Sequence, residues 1–483
     1  MRYSFHKSSL FFKGFNPHLF FFLFLISCSP DSENLPSSFE VFVSVNGNGT
    51  VSSSKFDVVS NTMISITAIA DEGYYFDRWD GTSEVNESEI LNLQVLQSYE
   101  LTAIFIPIPT LEESVEVYDP KKIDPLPVFM IRNGGTEAFL TDKTGKRIQS
   151  WNFDDNLGNE LKLLDDGNLI GLFKPDIVSF PFLKGFGGII RKIDPVGSVI
   201  WEHEINNEDY LSHHDFEILP NGNILLIIWE HFSESEALVM GYNSSGSIYL
   251  EKIIELNPET KSIEWEWRSA DHLIQDFKSS TANYGQIADH PEKIDLNYVS
   301  DQFGDLMHAN GLFYDSERDV ILLSVNFYSE VWVISHSNTT EESITPLGDL
   351  KYRFGNPQAY QSLGERIFFK NHHPTIVELD PLSLGRFLIY VNGSDDNQSN
   401  IYEFELPSVF PNDPLLWTSP VQTWSFTDPE LYFGIISGAY RLPNGNTLIC
   451  EGDYGYWEVT REGEVVWKYN GGGPYFWRGY VYP

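Results

Sequence analysis

Leu219-Pro220-Asn221-Gly222-Asn223-Ile224-Leu225 is a polar turn set between two apolar runs, and the same phrase recurs at Leu164-Asp-Asp-Gly-Asn-Leu-Ile170 and Leu442-Pro-Asn-Gly-Asn-Thr-Leu448. Asn-Gly and Asp-Gly pairs accept the positive φ of a tight turn, so each copy predicts a β-hairpin. A second phrase accompanies the first: a strand, a turn, and a strand ending in Trp. It reads Ile193-Asp-Pro-Val-Gly-Ser-Val-Ile-Trp201, Glu255-Leu-Asn-Pro-Glu-Thr-Lys-Ser-Ile-Glu-Trp265 and Val459-Thr-Arg-Glu-Gly-Glu-Val-Val-Trp467. Tyr314–Leu323 and Leu379–Tyr390 read as further hairpins of this kind. A hairpin phrase returning at a period of roughly fifty residues points to a β-propeller. The expectation for residues 112–483 is an all-β, six-bladed β-propeller. A β-sandwich would not carry one hairpin phrase along so much chain. The polar stretch 268–305 has no strand pattern and reads as an insertion, and no long helical periodicity appears.

Composition agrees with a β-rich chain. Aromatic residues make up 15% of the 483 positions and charged residues 21%, a bias toward residues that pack on pleated sheets. The formal net charge is −38. Such a chain has no basic face for nucleic acid, and an anionic ligand must be received by local positive or hydrogen-bonding groups. The two cysteines, Cys28 and Cys450, leave no thiol metal cluster or redox pair.

Residues 1–28 begin with Arg2, His6, Lys7 and Lys13, continue with the apolar run Leu19–Ile26, and end Leu25-Ile26-Ser27-Cys28. This is the pattern of a secretory signal, too short for a spanning helix. Its end resembles a bacterial lipobox, which implies cleavage before Cys28 and lipidation of that residue. The protein is then expected to be an extracytoplasmic lipoprotein, held by acyl chains at the outer membrane, cell surface or periplasm of a Gram-negative bacterium.

Residues 38–107 alternate apolar and polar and are expected to form a small β module of hairpins, with Asn46-Gly-Asn-Gly49 as one turn and Trp79 in its core. The order Gly-x-Val, Ala-x-Ala, Gly73-Tyr-Tyr-Phe-Asp-Arg-Trp79-Asp-Gly81, Thr102-Ala-Ile-Phe105 resembles the bacterial extracellular repeat found beside internalin-type domains. That resemblance implies a spacer or adhesion role. Ile106-Pro-Ile-Pro marks the boundary with the larger domain.

Three polar clusters each precede a repeat at a similar phase: His213-His214-Asp215, His308-Ala-Asn310, and Asn371-His372-His373-Pro374. Repeat symmetry predicts that they meet at one level of a central channel. His308 and Asn310, two apart, are expected to point the same way along a strand. Several imidazoles can hold a metal, or one can act as a nucleophile while the others hold an anion. Asp215 is placed to orient an imidazole. Spacing alone does not choose between these chemistries.

The His213-His-Asp and Leu-Pro-Asn-Gly-Asn phrases, Asp305-x-x-His-x-Asn310, Ile321-Leu-Leu-Ser-Val325, Tyr352-Arg-Phe-Gly-Asn-Pro-Gln-Ala-Tyr360 and Ser437–Gly452 resemble the bacterial arylsulfotransferases. The resemblance runs through most of 112–483. It implies a six-bladed propeller that moves a sulfuryl group from a phenolic sulfate ester to another phenol, through a transient sulfohistidine and without a nucleotide donor. The implied partners are an aryl sulfate donor and a phenolic acceptor, with no cofactor and no metal. A homodimer stays open. His372 falls at the position of the nucleophile, His308 and His214 at those of the other catalytic histidines. Asn310, His213, Asn326 and His373 are the expected substrate contacts. Asn326 stands where the family carries an arginine, so its charge is expected from another group, with His373 and Arg353 as candidates. Leu306 stands where the family usually has Trp. A ligand-binding or adhesion propeller without catalysis is the alternative.

Overall fold

The computed structural model describes residues 37–393, 397–473 and 475–482. Cys28 and the apolar run before it lie outside the described residues. The chain divides into two units, Met1–Ile108 and Pro109–Pro483.

The first unit is a pair of sheets. Lys55–Val59, Ser38–Asn46, Tyr99–Pro107 and Tyr74–Asp80 form one in that order, and Gly49–Val51, Thr62–Ala70 and Ile90–Val95 form the other. Val41, Ile66, Phe76, Leu91, Leu101 and Phe105 fill the space between them. Trp79 is buried among them and donates its indole N–H to the Ser88 carbonyl at 3.0 Å. The expected hairpin at Asn46–Gly49 is corrected. Ser38–Asn46 pairs antiparallel with Lys55–Val59 and parallel with Tyr99–Pro107, while Gly49–Val51 pairs with Thr62–Ala70. The chain crosses between sheets here because it runs against Phe105. A Cβ at Gly47, where φ is +89°, would fall 2.0 Å from the Phe105 carbonyl oxygen.

Among the described residues, the second unit contains six antiparallel sheets of four or five strands and one two-stranded parallel pair. The repeated phrases are the hairpins of these sheets. Leu163 faces Leu169, Ile218 faces Ile224, and Arg441 faces Thr447 across the Gly-Asn turns. Only the glycine takes positive φ in each: Gly167 at 79°, Gly222 at 85° and Gly445 at 88°. The preceding Asp166, Asn221 or Asn444 instead uses its side-chain oxygen to accept the N–H two residues on. The turn is thus a type I turn closed by a left-handed glycine, not a turn with two positive-φ residues.

Two of the three repeated tryptophans stitch sheets together through their indole N–H, while that of Trp201 has no hydrogen-bond partner among the described residues. The indole of Trp265 donates at 2.8 Å to the carbonyl of Asn338, in the loop that follows the strand Glu330–Ser335 of the next sheet. That of Trp467 donates at 2.8 Å to the carbonyl of Lys143, in the turn after the strand Glu137–Thr141. Six strands of these sheets follow one another in a cycle of contacts: β1 (Leu157–Leu163), β2 (Tyr210–Ile218), β3 (Ala309–Asp315), β4 (Asn371–Ile376), β5 (Gly438–Arg441) and β6 (Phe476–Val481). Each contacts the next, and β6 contacts β1. The two ends of the second unit pair with strands distant in sequence. β6 joins the sheet of Val128–Arg132, and Val115–Tyr118 adds a fifth strand beside Val465–Asn470. The 268–305 stretch is largely irregular, apart from the short pair Leu273–Ile274 and Ile294–Asp295.

Candidate active site

The three histidine clusters share a backbone device. His214, His308 and His373 have φ of +54°, +52° and +55°, a left-handed conformation that costs a residue with a Cβ on the order of 1–2 kcal/mol. Beside each, the strand pairing slips: between Ser212 and Phe216, between Ala309 and Gly311, and between His372 and Thr375. Such bulges interrupt the two-residue alternation and re-aim side chains. β2 and β4 thus deliver His214 and His372, and His308, the residue just ahead of β3, joins them in one cavity of about 470 Å3. Asn159, Lys174, Lys184, Gly185, Asn326, Phe327 and Lys370 also line it. Gly185 is required there, because a Cβ on it would stand 2.1 Å from His214 Nε2.

Each imidazole has a defined protonation. His372 Nδ1 lies 2.5 Å from Asn392 Oδ1. The Asn392 amide nitrogen donates to the carbonyls of Phe433 and Ile436, both at 2.8 Å, so its oxygen must be the acceptor for His372. The proton therefore sits on Nδ1, and Nε2 keeps its lone pair. Burial holds His372 down to about 3, against the Asn392 hydrogen bond, so the ring is neutral across the working pH range.

His308 is opposite in character. Burial disfavours its charge, but the Asp305 carboxylate, 2.5 Å from Nδ1, outweighs this and raises its pKa. Phe327 stacks on the His308 ring with centroids 4.7 Å apart. The two like groups are driven in opposite directions by their surroundings, so that His308 can give a proton where His372 can offer a lone pair.

His214 ends a relay. Burial pushes both His213 and His214 well below the ordinary imidazole value. Burial, with Asp305 nearby, pushes Glu251 well above the carboxylate range. Glu251 lies 3.0 Å from His213 Nε2, and the two Nδ1 atoms of His213 and His214 lie 2.8 Å apart. With Glu251 protonated, as its raised pKa favours, it donates to His213, whose Nδ1–H then donates to His214. This leaves His214 with a proton on Nε2. A neutral donor beside an anion is the chemistry of an oxyanion site.

Of the residues expected from sequence, His214, His308, His372 and Asn326 meet in the cavity. His213 lies behind it, fully buried and stacked on Trp229 at 3.7 Å. Asn310 does not follow His308, because the bulge separates them. Its amide donates to the Asn371 carbonyl at 2.8 Å, where Ser324 and Asn326 also donate, and together they fix the chain ahead of His372. His373 opens onto a different cavity of about 160 Å3, shared with Lys162, Glu217 and Tyr480.

Neither candidate for the extra charge supplies it. Burial keeps His373 well below the imidazole range. Arg353 is fully buried and ion-paired with Glu330. Asp215 orients no imidazole. It accepts from Leu312 N at 2.8 Å and from Arg478 at 2.9 Å. Leu306 is buried in the core. Among the described residues no group of His, Cys, Asp and Glu side chains is arranged to hold a metal.

Sequence reasoning misses Asn392, Glu251, Arg478 and the lysines. Only Asp305, three residues before His308, and Lys370, two before His372, carry a local signal visible along the chain.

The profile of the arylsulfotransferase (ASST) family matches residues 118–403, more than half of the chain. The chain belongs to the arylsulfotransferase family. The match spans β1 to β4, and so includes every histidine of the cavity, while Arg478 and the last sheet lie beyond it. Residues 39–109 match the divergent InlB B-repeat domain. No curated protein matches the chain. Similar solved structures include apo AztD from Citrobacter koseri, at 11% identity over 70% of this chain and 80% of that one, with a TM-score of 0.30. Another is the Kuenenia stuttgartiensis hydrazine synthase, at 12% identity over 80% of this chain and 99% of that one, with a TM-score of 0.34. These likenesses do not bear on the chemistry.

Proposed function

We propose that this protein transfers a sulfuryl group from an aryl sulfate ester to a phenol through a sulfohistidine on His372, without a nucleotide donor. The observation that carries the reading is the pair of hydrogen bonds that sets two imidazoles of one cavity apart: His372 Nδ1 on Asn392 Oδ1, which leaves Nε2 its lone pair, and His308 Nδ1 on the Asp305 carboxylate, which favours the charged ring. In the first half-reaction His372 Nε2 bonds to sulfur as the S–O bond to the aryl oxygen breaks. That oxygen takes the His308 proton and leaves as a phenol. In the second, neutral His308 takes the acceptor's hydroxyl proton, the new aryl oxygen bonds to sulfur, and the S–N bond breaks. His214 Nε2–H donates to the sulfuryl oxygens in both.

The six sheets are, in this reading, the blades of a propeller, supported by the cycle of contacts among β1–β6. The signal-like N-terminus and Cys28, read from sequence alone, support a lipoprotein anchored outside the cytoplasm, with the repeat module as its spacer. The test is incubation of the pure protein with 4-nitrophenyl sulfate, with and without a phenol, followed by mass analysis of the His372 peptide. Phenol release with a sulfuryl adduct on His372 is expected. No release and no adduct would leave a binding or adhesion protein. Release that persists in His372→Ala would overturn the assigned nucleophile.

A further inference from the structure

Three lysines, Lys174, Lys184 and Lys370, converge on the cavity of His214, His308 and His372. They come from separate parts of the chain: the end of the strand Leu169–Phe173, the loop before Gly185, and the residue preceding β4. Lys174 is half-buried beside Phe186, its ammonium 5.0 Å from the ring, and Lys184 and Lys370 are exposed. Among the described residues, none of the three ammonium groups has a carboxylate partner or a hydrogen bond. This stands out in a chain of net charge −38, where Lys162, Lys143 and Lys293 are each paired with an acid.

The lysines also act on the site's own groups. Burial, and then the charge of Lys184, lowers Lys174, and the charge of Lys370 contributes to holding His372 neutral. Like charges held together without a counter-ion leave a positive field, and that field is relieved when an anion enters. The room is kept open on the backbone side as well. Gly134 has φ of +65°, and a Cβ there would crowd Lys174 Nζ at 3.3 Å.

We propose that Lys174, Lys184 and Lys370 form an anion clamp that receives the sulfate group of the aryl ester and supplies the positive charge that Asn326 cannot. The inference rests on the transferase reading only for the identity of the anion. A sulfate monoester is charged at every working pH, so the clamp depends on the lysines' protonation alone. A compact ammonium tolerates several sulfate orientations, which suits a group that must swing from ester oxygen to His372 and on to the acceptor.

The test is equilibrium binding of 4-nitrophenyl sulfate and of 4-methylphenol, which is uncharged at neutral pH, to the full chain carrying His372→Ala, which removes turnover. Lys174→Met, Lys184→Met and Lys370→Met are added singly and together, with the three Lys→Arg changes as the conservative set. Each Met change is expected to weaken the sulfate ester about 3- to 10-fold, and the triple change at least about 100-fold, with a loss of salt dependence. Binding of the uncharged phenol should stay within about 2-fold, which also shows that the cavity is folded. The arginine set should hold within about 3-fold. A triple Met variant that binds the ester as tightly as its parent overturns the clamp, as does a parent that binds phenol and ester equally. If His372-containing protein releases no phenol yet the ester binds in a lysine-dependent way, the transfer reading fails and the clamp stands.

Discussion

His372 Nδ1 and Asn392 Oδ1 stand 2.5 Å apart, and Asn392 can only accept there because its amide nitrogen is committed to two backbone carbonyls. This pair decides which imidazole nitrogen faces the cavity with a lone pair. The neighbouring strands place a charged His308 and a neutral His214 on the same space.

Asn392→Ala should therefore lower kcat/KM for an aryl sulfate by roughly 10- to 100-fold, the range typical of losing a group that orients a reacting imidazole. Binding of the ester to the lysines should change little. Steady-state kinetics with a melting curve on the same samples checks this. Unchanged kcat/KM in a folded variant would remove Asn392 from the mechanism.

The pH profile of kcat/KM for the donor reports the free enzyme. His308 must be protonated in the first half-reaction and its pKa is raised, so activity should persist above pH 6.5 and fall only as pH passes that raised value. Protonation of His372 at about 3 adds no acid limb in the range where the protein is handled. Asp305→Asn removes the carboxylate that raises His308, so the alkaline limb should move to lower pH. A limb that does not move would assign the acid elsewhere.

Glu251 gives a sharper test of proton direction. If its carboxyl is a donor to His213, Glu251→Gln keeps a donor at the same place and should retain activity within about 3-fold. Glu251→Leu breaks the relay and leaves His213 unpaired in a dry site, at a cost of about 1–3 kcal/mol in stability and a larger loss in rate. Chemical denaturation and kinetics on both variants separate the two effects. A dead but stable Gln variant would mean that Glu251 acts as a carboxylate.

Arg478 is a structural prediction. It is buried on β6, pairs with Glu160 at 2.6 Å and Asp215 at 2.9 Å, and donates to the Asn310 carbonyl at 3.0 Å. Arg478→Met leaves two buried carboxylates without their cation, which should destabilise the second unit by about 3–5 kcal/mol. The unfolding midpoint in urea, compared with that of a surface control such as Arg147→Met, measures it.

The sequence by itself determined the all-β class, the hairpin phrase and its period, the position of Trp79 in the first unit's core, and the family. These are local: a glycine that must turn, an alternation that must bury one face, an apolar run bounded by polar turns. It also set the three histidine clusters at one phase of the repeat, while the choice of His372 and His214 within their clusters came from the resemblance to the family. What the tertiary structure decided was which side chains face which cavity. Alternation along the chain put His308 with Asn310, and its place beside His372 in the motif made His373 an expected substrate contact. A left-handed His308 and the bulge after it broke the alternation and sent Asn310 to a backbone carbonyl, while His373 faces a different cavity from its neighbour. Protonation was also beyond the sequence, because it depends on Asp305, Glu251 and Asn392 meeting particular nitrogens in a dry interior. The lysines were hidden for a related reason. Their distance from His372 along the chain says nothing of the cavity that Lys174 and Lys184 reach from another sheet.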